Sequence, residues 1–523
     1  MNGKRWYVVR VALIVALGGF LMGFDASVIS GVVRFIGPEF GLSSLQLGWA
    51  VGSLTLTATL GMLTAGPLSD RFGRRAILQA AAVLFAVSAM GSALAPDFVS
   101  FVIARMIGGL GVGAALIVGP MYIAEIAPPA SRGKLVSLNQ LNIVIGISAA
   151  FFSNYLILQW SQTDAAWVQA IGLDTQAWRW MLGVETLPAL LFLIGLIWVP
   201  QSPRWQIMRG MQEQAAATLN RIFSDADTQQ QIAAIQRNLD TDQAREKIAL
   251  KELFHPALRL VLIAGVTLAI LQQITGINAV FFYAPMIFEQ SGIGTNAAFM
   301  QAVLVGLTNL AFTVVAMLLI DRLGRRPLLL AGMTGIALAM MLLAYGFGSA
   351  TYELSEEGIQ SLELPATVAV QLAPLQGMAY PSDVSFRQAL AEVLGDEAAL
   401  AHGSEIIASA IAINPGLILF GILAFVASFA VSIGPVMWVM FSELFPLRVR
   451  GLAISFAGFI NSGVSFLVQL MFPWQLATLG NSLTFLVYGL FAAVGLVFIW
   501  KRVPETKNKS LEELEVQLTQ AQA

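Results

Sequence analysis

The stretch DRFGRR at Asp70–Arg75 returns as DRLGRR at Asp321–Arg326, and each copy joins two long apolar segments. One aspartate and three arginines in six residues cannot lie in the hydrocarbon of a bilayer, because each charge would cost several kcal/mol there. Each copy therefore predicts a tight turn at the membrane surface. The repetition indicates that the chain is built from two similar halves.

A second repeated motif supports this duplication, because EIAPPASRG at Glu125–Gly133 is similar to ELFPLRVRG at Glu443–Gly451. A weaker sequence similarity relates PQSPR at Pro200–Arg204 to PETK at Pro504–Lys507. The first motif pair is 251 positions apart and the second 318, and the excess matches an insert predicted at 350–411. Two parallel halves of six spans are typical of large secondary transporters.

The composition is that of a polytopic membrane protein. Hydrophobic residues make up 57% of the chain, charged residues 11%, and the mean hydropathy is +0.75. Twelve apolar segments are long enough to cross a hydrocarbon layer of ~30 Å, and they lie near 9–30, 47–68, 76–95, 98–121, 135–157, 178–199, 258–288, 297–320, 328–349, 413–440, 451–472 and 478–500. The predicted fold class is an all-α membrane protein with twelve transmembrane helices in two six-helix pseudo-symmetric halves.

The predicted organisation has four parts: a six-helix half at 1–202, a cytoplasmic helical linker at 203–252, a second half at 253–500 with the outer insert 350–411, and a cytoplasmic tail at 501–523. A net charge of −2 does not indicate nucleic-acid binding. The absence of cysteine excludes disulfides, thiolate catalysis and cysteine-ligated metals.

The orientation follows from lysine and arginine, which favour the cytoplasmic side. With both termini inside, only four of the 29 basic residues fall elsewhere, namely Arg34, Arg105, Arg179 and Arg387. The insert holds nine acidic residues and one basic residue, as expected outside. We predict a multi-pass protein of a bacterial inner membrane, with a retained first span rather than a cleavable signal peptide.

Three ionisable residues lie inside predicted spans, where charges are expensive and usually functional. Asp25, Arg105 and Glu185 fall about 10 Å below the outer surface at a helix rise of ~1.5 Å per residue. A carboxylate whose proton affinity depends on a nearby cation would make a transport cycle proton-dependent. The alternative is a static ion pair that fixes helix packing, and for Glu185 a helix-capping role.

Uncharged polar residues form a second set within the spans, consisting of Gln140, Gln272, Gln273, Asn278, Asn309, Trp438 and Asn461. Carboxamides both donate and accept hydrogen bonds, which suits a neutral ligand covered with hydroxyls. Interhelical hydrogen bonding is the alternative. Phe281–Pro285 is predicted to break the helix that carries Gln272, and unwound helices at mid-membrane are where transporters bind substrate.

A series of motifs in one order resembles the sugar porter family of the major facilitator superfamily, including its bacterial proton-coupled pentose and hexose symporters. The motifs are GFDASVISG in the first span, DRFGRR, RMIGGLGVG, RGKLVSLNQ, QQITGIN, DRLGRR, GPVMWVMFSELFP and VPETKNKSLEELE. The likeness covers nearly the whole chain. It implies a substrate cavity lined mostly by the second half.

The resemblance implies roles residue by residue. The amide set and Trp438 match sugar-contacting positions, joined by Phe282, Tyr283 and Gly434. Asp25, Arg105 and Glu185 match positions tied to proton coupling. The family's inner latch, which holds the halves together in the outward-facing state, is matched by Asp70, Arg74, Arg75, Glu125, Arg132, Asp321, Arg325, Arg326, Glu443 and Arg450.

The chain departs from the family pattern at four places. Ser462 stands where a tryptophan is common, and Phe282 replaces one tyrosine of an aromatic pair. Both departures bear on the identity of the sugar. Gln201 replaces the glutamate of the family's PESPR string, and Met317 replaces a glycine before the second arginine motif.

The sequence therefore predicts a proton-coupled monosaccharide symporter that works by alternating access, as a monomer, with the proton as coupling ion and no other cofactor or metal. A polyol or inositol symporter, a facilitative sugar uniporter and a non-transporting sugar sensor remain as alternatives. A membrane enzyme is disfavoured, because the only histidines, His255 and His402, lie in predicted loops on opposite sides.

Overall fold

The computed structural model describes residues 2–244, 250–360, 362, 364–446 and 448–507. Twelve helical spans in these residues are long and apolar enough to cross a membrane, which confirms the predicted number. Residues 245–249 of the predicted linker and 508–523 of the predicted tail lie outside the described residues.

The chain up to the end of the sixth span contains eight α-helices, of which α6 lies between spans five and six. These are α1 (Asn2–Glu39), α2 (Ser44–Phe72), α3 (Arg74–Ala93), α4 (Phe98–Ile126), α5 (Arg132–Ser161), α6 (Ala166–Ala170), α7 (Ala177–Gly183) and α8 (Thr186–Gly195). Three helices follow in the predicted linker, namely α9 (Pro203–Met208), α10 (Gln212–Asn220) and α11 (Asp225–Ala244). Short 3₁₀ turns lie at Leu196–Trp198, Leu250–Phe254, Pro256–Leu258 and Ala373–Leu375.

Spans seven to nine are formed by α12 (Arg259–Ile274), α13 (Ile277–Glu289), α14 (Thr295–Leu323) and α15 (Arg325–Gly348). The insert then contains β1 (Thr351–Glu353), α16 (Glu356–Gln360), α17 (Ala366–Gln371), β2 (Ala379–Tyr380), α18 (Asp383–Leu394), α19 (Asp396–Ala410) and β3 (Ile411–Ala412). The last three spans are formed by α20 (Pro415–Val431), α21 (Ile433–Leu444), α22 (Arg450–Thr478) and α23 (Gly480–Arg502).

The insert is a small folded element with its own core. Its strands form an antiparallel sheet in the order β2-β1-β3, and Tyr352, Phe386 and Ile406 are among the side chains buried beneath it. The Asp383 carboxylate accepts hydrogen bonds from the Asn481 backbone N and Nδ2, both at 3.1 Å. These bonds attach the insert to the start of α23.

Span seven is interrupted twice. Gly276 lies between α12 and α13 with a φ of 92°, which is favourable only for glycine. Within α13, Tyr283 has a φ of −121° and a ψ of 15°, ahead of Pro285. The predicted break at Phe281–Pro285 is therefore present as a kink, and a sharper break precedes it.

The chain packs as two compact units. Unit 1 comprises 1–28, 53–150 and 179–249, and unit 2 comprises 29–52, 151–178 and 250–523. Unit 2 therefore combines the last six spans with parts of α1, α2 and α5. In the predicted topology an even number of spans separates the two arginine-rich turns, and we call the side of the membrane to which they are assigned the motif side and the opposite side the insert side.

Within unit 1, glycines explain how α4 approaches α2. A Cβ on Gly109 would lie 2.3 Å from the Leu54 carbonyl oxygen, and one on Gly113 would lie 2.1 Å from the Ala58 carbonyl oxygen. The helices are thus in backbone contact, which only glycine permits. The glycines of RMIGGLGVG serve this packing.

In unit 1, the first arginine-rich turn is held by a partly buried carboxylate, that of Glu125. The Arg74 guanidinium binds Glu125 at 3.0 Å and Asp70 at 2.8 Å. The Ser202 hydroxyl also donates to Glu125, and Arg75 donates to the Ile197 carbonyl oxygen at 3.0 Å. The DRFGRR, EIAPPASRG and PQSPR motifs therefore form one cluster.

In unit 2, the matching residues repeat this cluster. Arg325 binds Glu443 at 2.8 Å and Asp321 at 3.2 Å. Thr506 donates to Glu443 at 2.6 Å, and Arg326 donates to the Trp500 carbonyl oxygen at 2.6 Å. This explains the weak similarity of PQSPR and PETK, because the Ser202 and Thr506 hydroxyls make equivalent hydrogen bonds to Glu125 and Glu443.

The remaining predicted latch residues lie at the ends of helices. Arg132 is exposed at the start of α5. Arg450, at the start of α22, donates from Nε to the Phe445 carbonyl oxygen at 3.0 Å. The ion pairs described above are internal to one unit or the other, and the latch role remains a prediction.

One position distinguishes the two clusters. The Glu505 carboxylate accepts from the backbone N–H groups of Arg325, Arg326, Thr506 and Lys507 at 2.8–3.1 Å. Burial alone would raise the pKa of Glu505, but these four hydrogen bonds hold it below its ordinary value. The corresponding Gln201 accepts one long bond, from the Arg75 N–H at 3.4 Å.

We expect Glu505→Gln to lower the melting temperature at neutral pH, because the amide loses the charge-assisted bonds to backbone N–H groups. The native pKa of Glu505 is depressed, so its stabilisation is present above the unfolded pKa of ~4.3 and is lost as pH falls through the native value. Melting curves in detergent at neutral and acidic pH measure this difference. The difference in melting temperature between wild type and Glu505→Gln should become smaller in acid. The exposed-site control Glu392→Gln should melt at the wild-type temperature at both pH values. A gap that is independent of pH would contradict the assignment.

Candidate functional site

A buried ion pair lies at the centre of unit 1. The Arg105 guanidinium on α4 donates from Nη1 to the Asp25 carboxylate on α1, and from Nη2 to the Asp25 carbonyl oxygen at 3.1 Å. Both residues are at most 2% exposed. The two residues that were predicted to share one depth are therefore in direct contact.

A glycine makes this contact possible. Gly108 lies one turn after Arg105, and a Cβ there would be 2.8 Å from Asp25 Oδ2 and 2.4 Å from the Ser88 hydroxyl. Any side chain at this position would push α1 away from α4. The glycine run of α4 therefore positions the acid as well as the helices.

Glu185 is the third member of this group. It is 1% exposed at the junction of α7 and α8 and lies within electrostatic range of Asp25 and Arg105. It precedes α8, but its side chain makes no capping hydrogen bond to that helix. The helix-capping alternative therefore finds no contact in the structure.

The group retains polar atoms without partners. Among the described residues, no hydrogen bond reaches Asp25 Oδ2, Arg105 Nε or Glu185 Oε1, although all three are buried. An unsatisfied buried polar atom costs about 1–3 kcal/mol. Each carboxyl group therefore has one oxygen that could carry a proton.

The amides of unit 2 form a second group on α12 and α22. Asn461 Nδ2 donates to Gln272 Oε1 at 2.7 Å and to the Ala269 carbonyl oxygen at 2.9 Å. Gln273 Nε2 donates to Asn461 Oδ1 and Gln272 Oε1, both at 3.2 Å. Gln272 Nε2 donates in turn to the Gly434 carbonyl oxygen at 2.9 Å.

The group continues onto α13 beyond the break at Gly276. Asn278 Nδ2 donates to Gln273 Oε1 at 2.9 Å and to the Ser465 hydroxyl at 2.6 Å. No donor in the described part of the chain reaches Asn278 Oδ1. All four amide nitrogens are thus engaged within the protein, and a hydrogen-bond acceptor remains at the partly exposed Asn278.

Two residues of this group were not predicted from the sequence. Gln469 Nε2 donates to the Ser465 hydroxyl at 2.8 Å, so Ser465 accepts from both Gln469 and Asn278. The signal for them is their spacing, because Asn461, Ser465 and Gln469 follow one another at intervals of four on an apolar helix. Residues at this spacing lie on one helix face.

The other predicted sugar-contacting residues are placed around or apart from this group. Trp438 on α21 is 44% exposed and packs edge-on against Phe441. Asn309 is buried on α14, outside the hydrogen-bonded group. Gln140 is exposed on α5 and belongs to unit 1, so it lies in a different unit from the other amides.

The aromatic pair lies on the kinked part of α13. Tyr283 is fully buried, and its hydroxyl donates to the Gln469 carbonyl oxygen at 3.0 Å. Its ring packs against Phe472 with centroids 5.1 Å apart. Tyr283 therefore fastens α13 to α22, while the neighbouring Phe282 is 8% exposed.

A family model and curated relatives match almost the entire chain. The family model described as "Sugar (and other) transporter" matches residues 11–369 and 398–518. The D-xylose-proton symporter of Escherichia coli strain K12 is 36% identical, over 97% of this chain and 95% of the relative. The arabinose-proton symporter of Bacillus subtilis strain 168 is 35% identical, over 97% of this chain and 94% of the relative.

A solved structure matches over the same extent. The inward open conformation of the xylose transporter XylE from E. coli superimposes with a TM-score of 0.74 and 33% sequence identity. The match covers 98% of this chain and 100% of the solved chain. Sequence and fold therefore point to the same group of proteins.

Proposed function

This chain belongs to the sugar (and other) transporter family, and from that membership we propose that it is a proton-coupled symporter of a pentose or hexose. The family consists of transporters and not enzymes, which removes the membrane-enzyme alternative. The resemblance to sugar porters that the motifs indicated is confirmed. The chain is a multi-pass membrane protein.

The observation that carries proton coupling is the buried contact of Arg105 with Asp25 beside Glu185. A carboxylate prefers its ionised form next to a guanidinium and its protonated form in an apolar site without that partner. If the cycle separates Asp25 from Arg105, the acid takes up a proton, and renewed contact releases it. We propose that Asp25 carries the proton and that contact with Arg105 makes it release the proton. Glu185 is the proposed second proton-carrying acid.

The amide group supports recognition of a neutral polyhydroxylated ligand. Its carboxamides bond to one another without ligand, so a sugar hydroxyl can exchange for an amide partner at little net change in hydrogen-bond number. Asn278 offers a free acceptor, and the exposed Trp438 ring offers an apolar face. We propose the predicted amide set, Gly434 and Trp438 as the sugar site, with Phe282 and Tyr283 supporting it.

Contacts within unit 2 support alternating access. Arg34 of α1 binds the buried Glu289 at the end of α13 at 2.5 Å. A Cβ on Gly48 of α2 would lie 2.0 Å from the Leu470 carbonyl oxygen of α22. We propose that these contacts close the insert side in one state of the cycle, and that the two arginine-motif clusters form the latch of the opposite state.

Location and assembly follow from the same proposal. We propose a bacterial inner membrane with both termini in the cytoplasm, since the arginine-rich turns mark the motif side as the inner side. Because one chain supplies both the charged and the amide group, a monomer is the proposed functional unit. The proton is the proposed coupling ion, with no further cofactor.

The direct test is uphill transport by Asp25→Asn in proteoliposomes with an imposed pH gradient. The amide keeps the acceptor for Arg105 but cannot carry a proton, so accumulation of labelled xylose, arabinose or glucose should fall to the level seen with a protonophore. Exchange of internal for external sugar should persist, which also shows that the variant is folded. The loop variant Asp174→Asn should accumulate sugar normally. Uphill accumulation by Asp25→Asn would refute the coupling assignment.

For the sugar site, we expect Asn278→Ala to weaken binding about tenfold, because one or two hydrogen bonds of about 1 kcal/mol each are lost. Isothermal titration with the preferred sugar of the uptake panel measures the affinity. The exposed linker variant Asn220→Ala should bind as wild type does. An unchanged affinity in folded Asn278→Ala would remove this residue from the site.

For alternating access, we expect Gly48→Leu to reduce uptake more than tenfold, because its side chain would collide with the α22 backbone and prevent closure. Sugar binding should persist, since the amide group is not altered. Gly37 has no neighbouring atom within 4 Å of an added Cβ, so Gly37→Leu is a matched control that should transport normally. Normal uptake by Gly48→Leu would show that this contact does not form during the cycle.

A further inference from the structure

A groove of about 560 Å³ lies beside the first turns of α1, on the motif side of unit 1. Its lining residues are Trp6, Tyr7, Arg10, Leu13 and Ile14. The groove has no part in the proposed transport chemistry, which uses Asp25 several turns further along this helix. Its lining combines an aromatic and cationic end with an apolar end.

Two guanidinium groups lie near the Tyr7 ring at the polar end of the groove: Arg10 lines the groove, and Arg221 lies beside the same ring outside the lining residues. Arg10 on α1 lies 5.9 Å from the centroid of the Tyr7 ring, and Arg221 at the end of α10 lies 6.0 Å from the same centroid. The Tyr7 hydroxyl is buried and has no hydrogen-bond partner among the described residues. Two cations therefore lie close to one aromatic ring beside the groove.

This positive charge is not neutralised by the protein. Lys4 and Arg5 lie one turn before Tyr7, and the Lys4 ammonium donates to the Phe223 carbonyl oxygen rather than to an acid. Within the described ranges, no carboxylate forms a salt bridge with these four cations: Lys4, Arg5, Arg10 and Arg221. Guanidinium groups without a carboxylate partner are a favourable site for a phosphate ester.

The apolar end of the groove continues along the membrane-facing surface. Leu13 is 46% exposed, and the neighbouring Ile14 packs against Gly195 at the end of α8. On the turn that follows Gly195, Ile197 and Trp198 are 57% and 63% exposed. Exposed tryptophans are typical of the level of lipid headgroups.

We propose that this groove binds an anionic phospholipid from the leaflet on the motif side. The phosphate would bind the Arg10 and Arg221 guanidinium groups, and one acyl chain would follow Leu13 and Ile14. The charge favours an anionic lipid over a zwitterionic one, because the latter brings its own cation to the site. A bound lipid would join α1 to the end of α10.

The test is native mass spectrometry of the full chain released from nanodiscs of equal parts phosphatidylglycerol and phosphatidylcholine. Wild type should retain one phosphatidylglycerol in clear preference to phosphatidylcholine, a comparison that needs no substitution. Arg10→Gln with Arg221→Gln should reduce this retention about fivefold per cation removed. Arg502→Gln, which removes an exposed cation at the motif-side end of α23, should retain the lipid as wild type does.

Three results would overturn the proposal. Wild type could retain the two lipids equally, or the double variant could retain phosphatidylglycerol as well as Arg502→Gln does. Displacement of the lipid by millimolar glycerol 3-phosphate would assign the site to a soluble phosphate ester instead. Sugar binding by the double variant checks that it is folded, since neither arginine belongs to the proposed transport machinery.

Discussion

Polar groups inside a bilayer must find their partners within the protein, and this constraint organises the molecule. The backbone meets it by forming helices, and the side chains meet it in two groups. In unit 1, Arg105 and Asp25 bind each other through two hydrogen bonds. In unit 2, four carboxamides bond to one another and to backbone carbonyl oxygens. Glycine supports the charged group, because only Gly108 lets α1 approach α4 closely enough.

Neither group has all of its hydrogen-bonding atoms paired, and the proposed function rests on the atoms that remain. Asp25 and Glu185 each keep one buried carboxyl oxygen without a partner, which suits a proton. Asn278 keeps an acceptor on a partly exposed side chain, which suits a hydroxyl. A helix bundle built for stability alone would gain by replacing such groups with apolar ones. Their presence is therefore best explained by ligands that bind to these groups and dissociate from them.

The two units reuse one motif cluster and differ elsewhere. The Arg74–Glu125 ion pair of unit 1 corresponds to the Arg325–Glu443 ion pair of unit 2. In both clusters a hydroxyl group also donates a hydrogen bond to the glutamate. This repetition is a matter of architecture, because it holds the ends of helices at the membrane surface. The difference lies deeper in the spans, where unit 1 carries the Asp25–Arg105–Glu185 group and unit 2 carries the hydrogen-bonded amide group. In our proposal the proton-carrying residues lie in unit 1, whereas the sugar site lies mostly in unit 2 and takes Gln140 from unit 1.

The sequence by itself determined the twelve spans, the duplication and the type of residue at each site, because apolar length and the cost of charge in hydrocarbon are local properties. It also identified Asp25 and Arg105 from their common depth. Only the tertiary structure decided which groups meet. Ser465 accepts from Asn278, and Tyr283 fastens α13 to α22, both beyond the break at Gly276. Such contacts depend on backbone geometry between distant segments, which hydropathy and motif spacing do not contain.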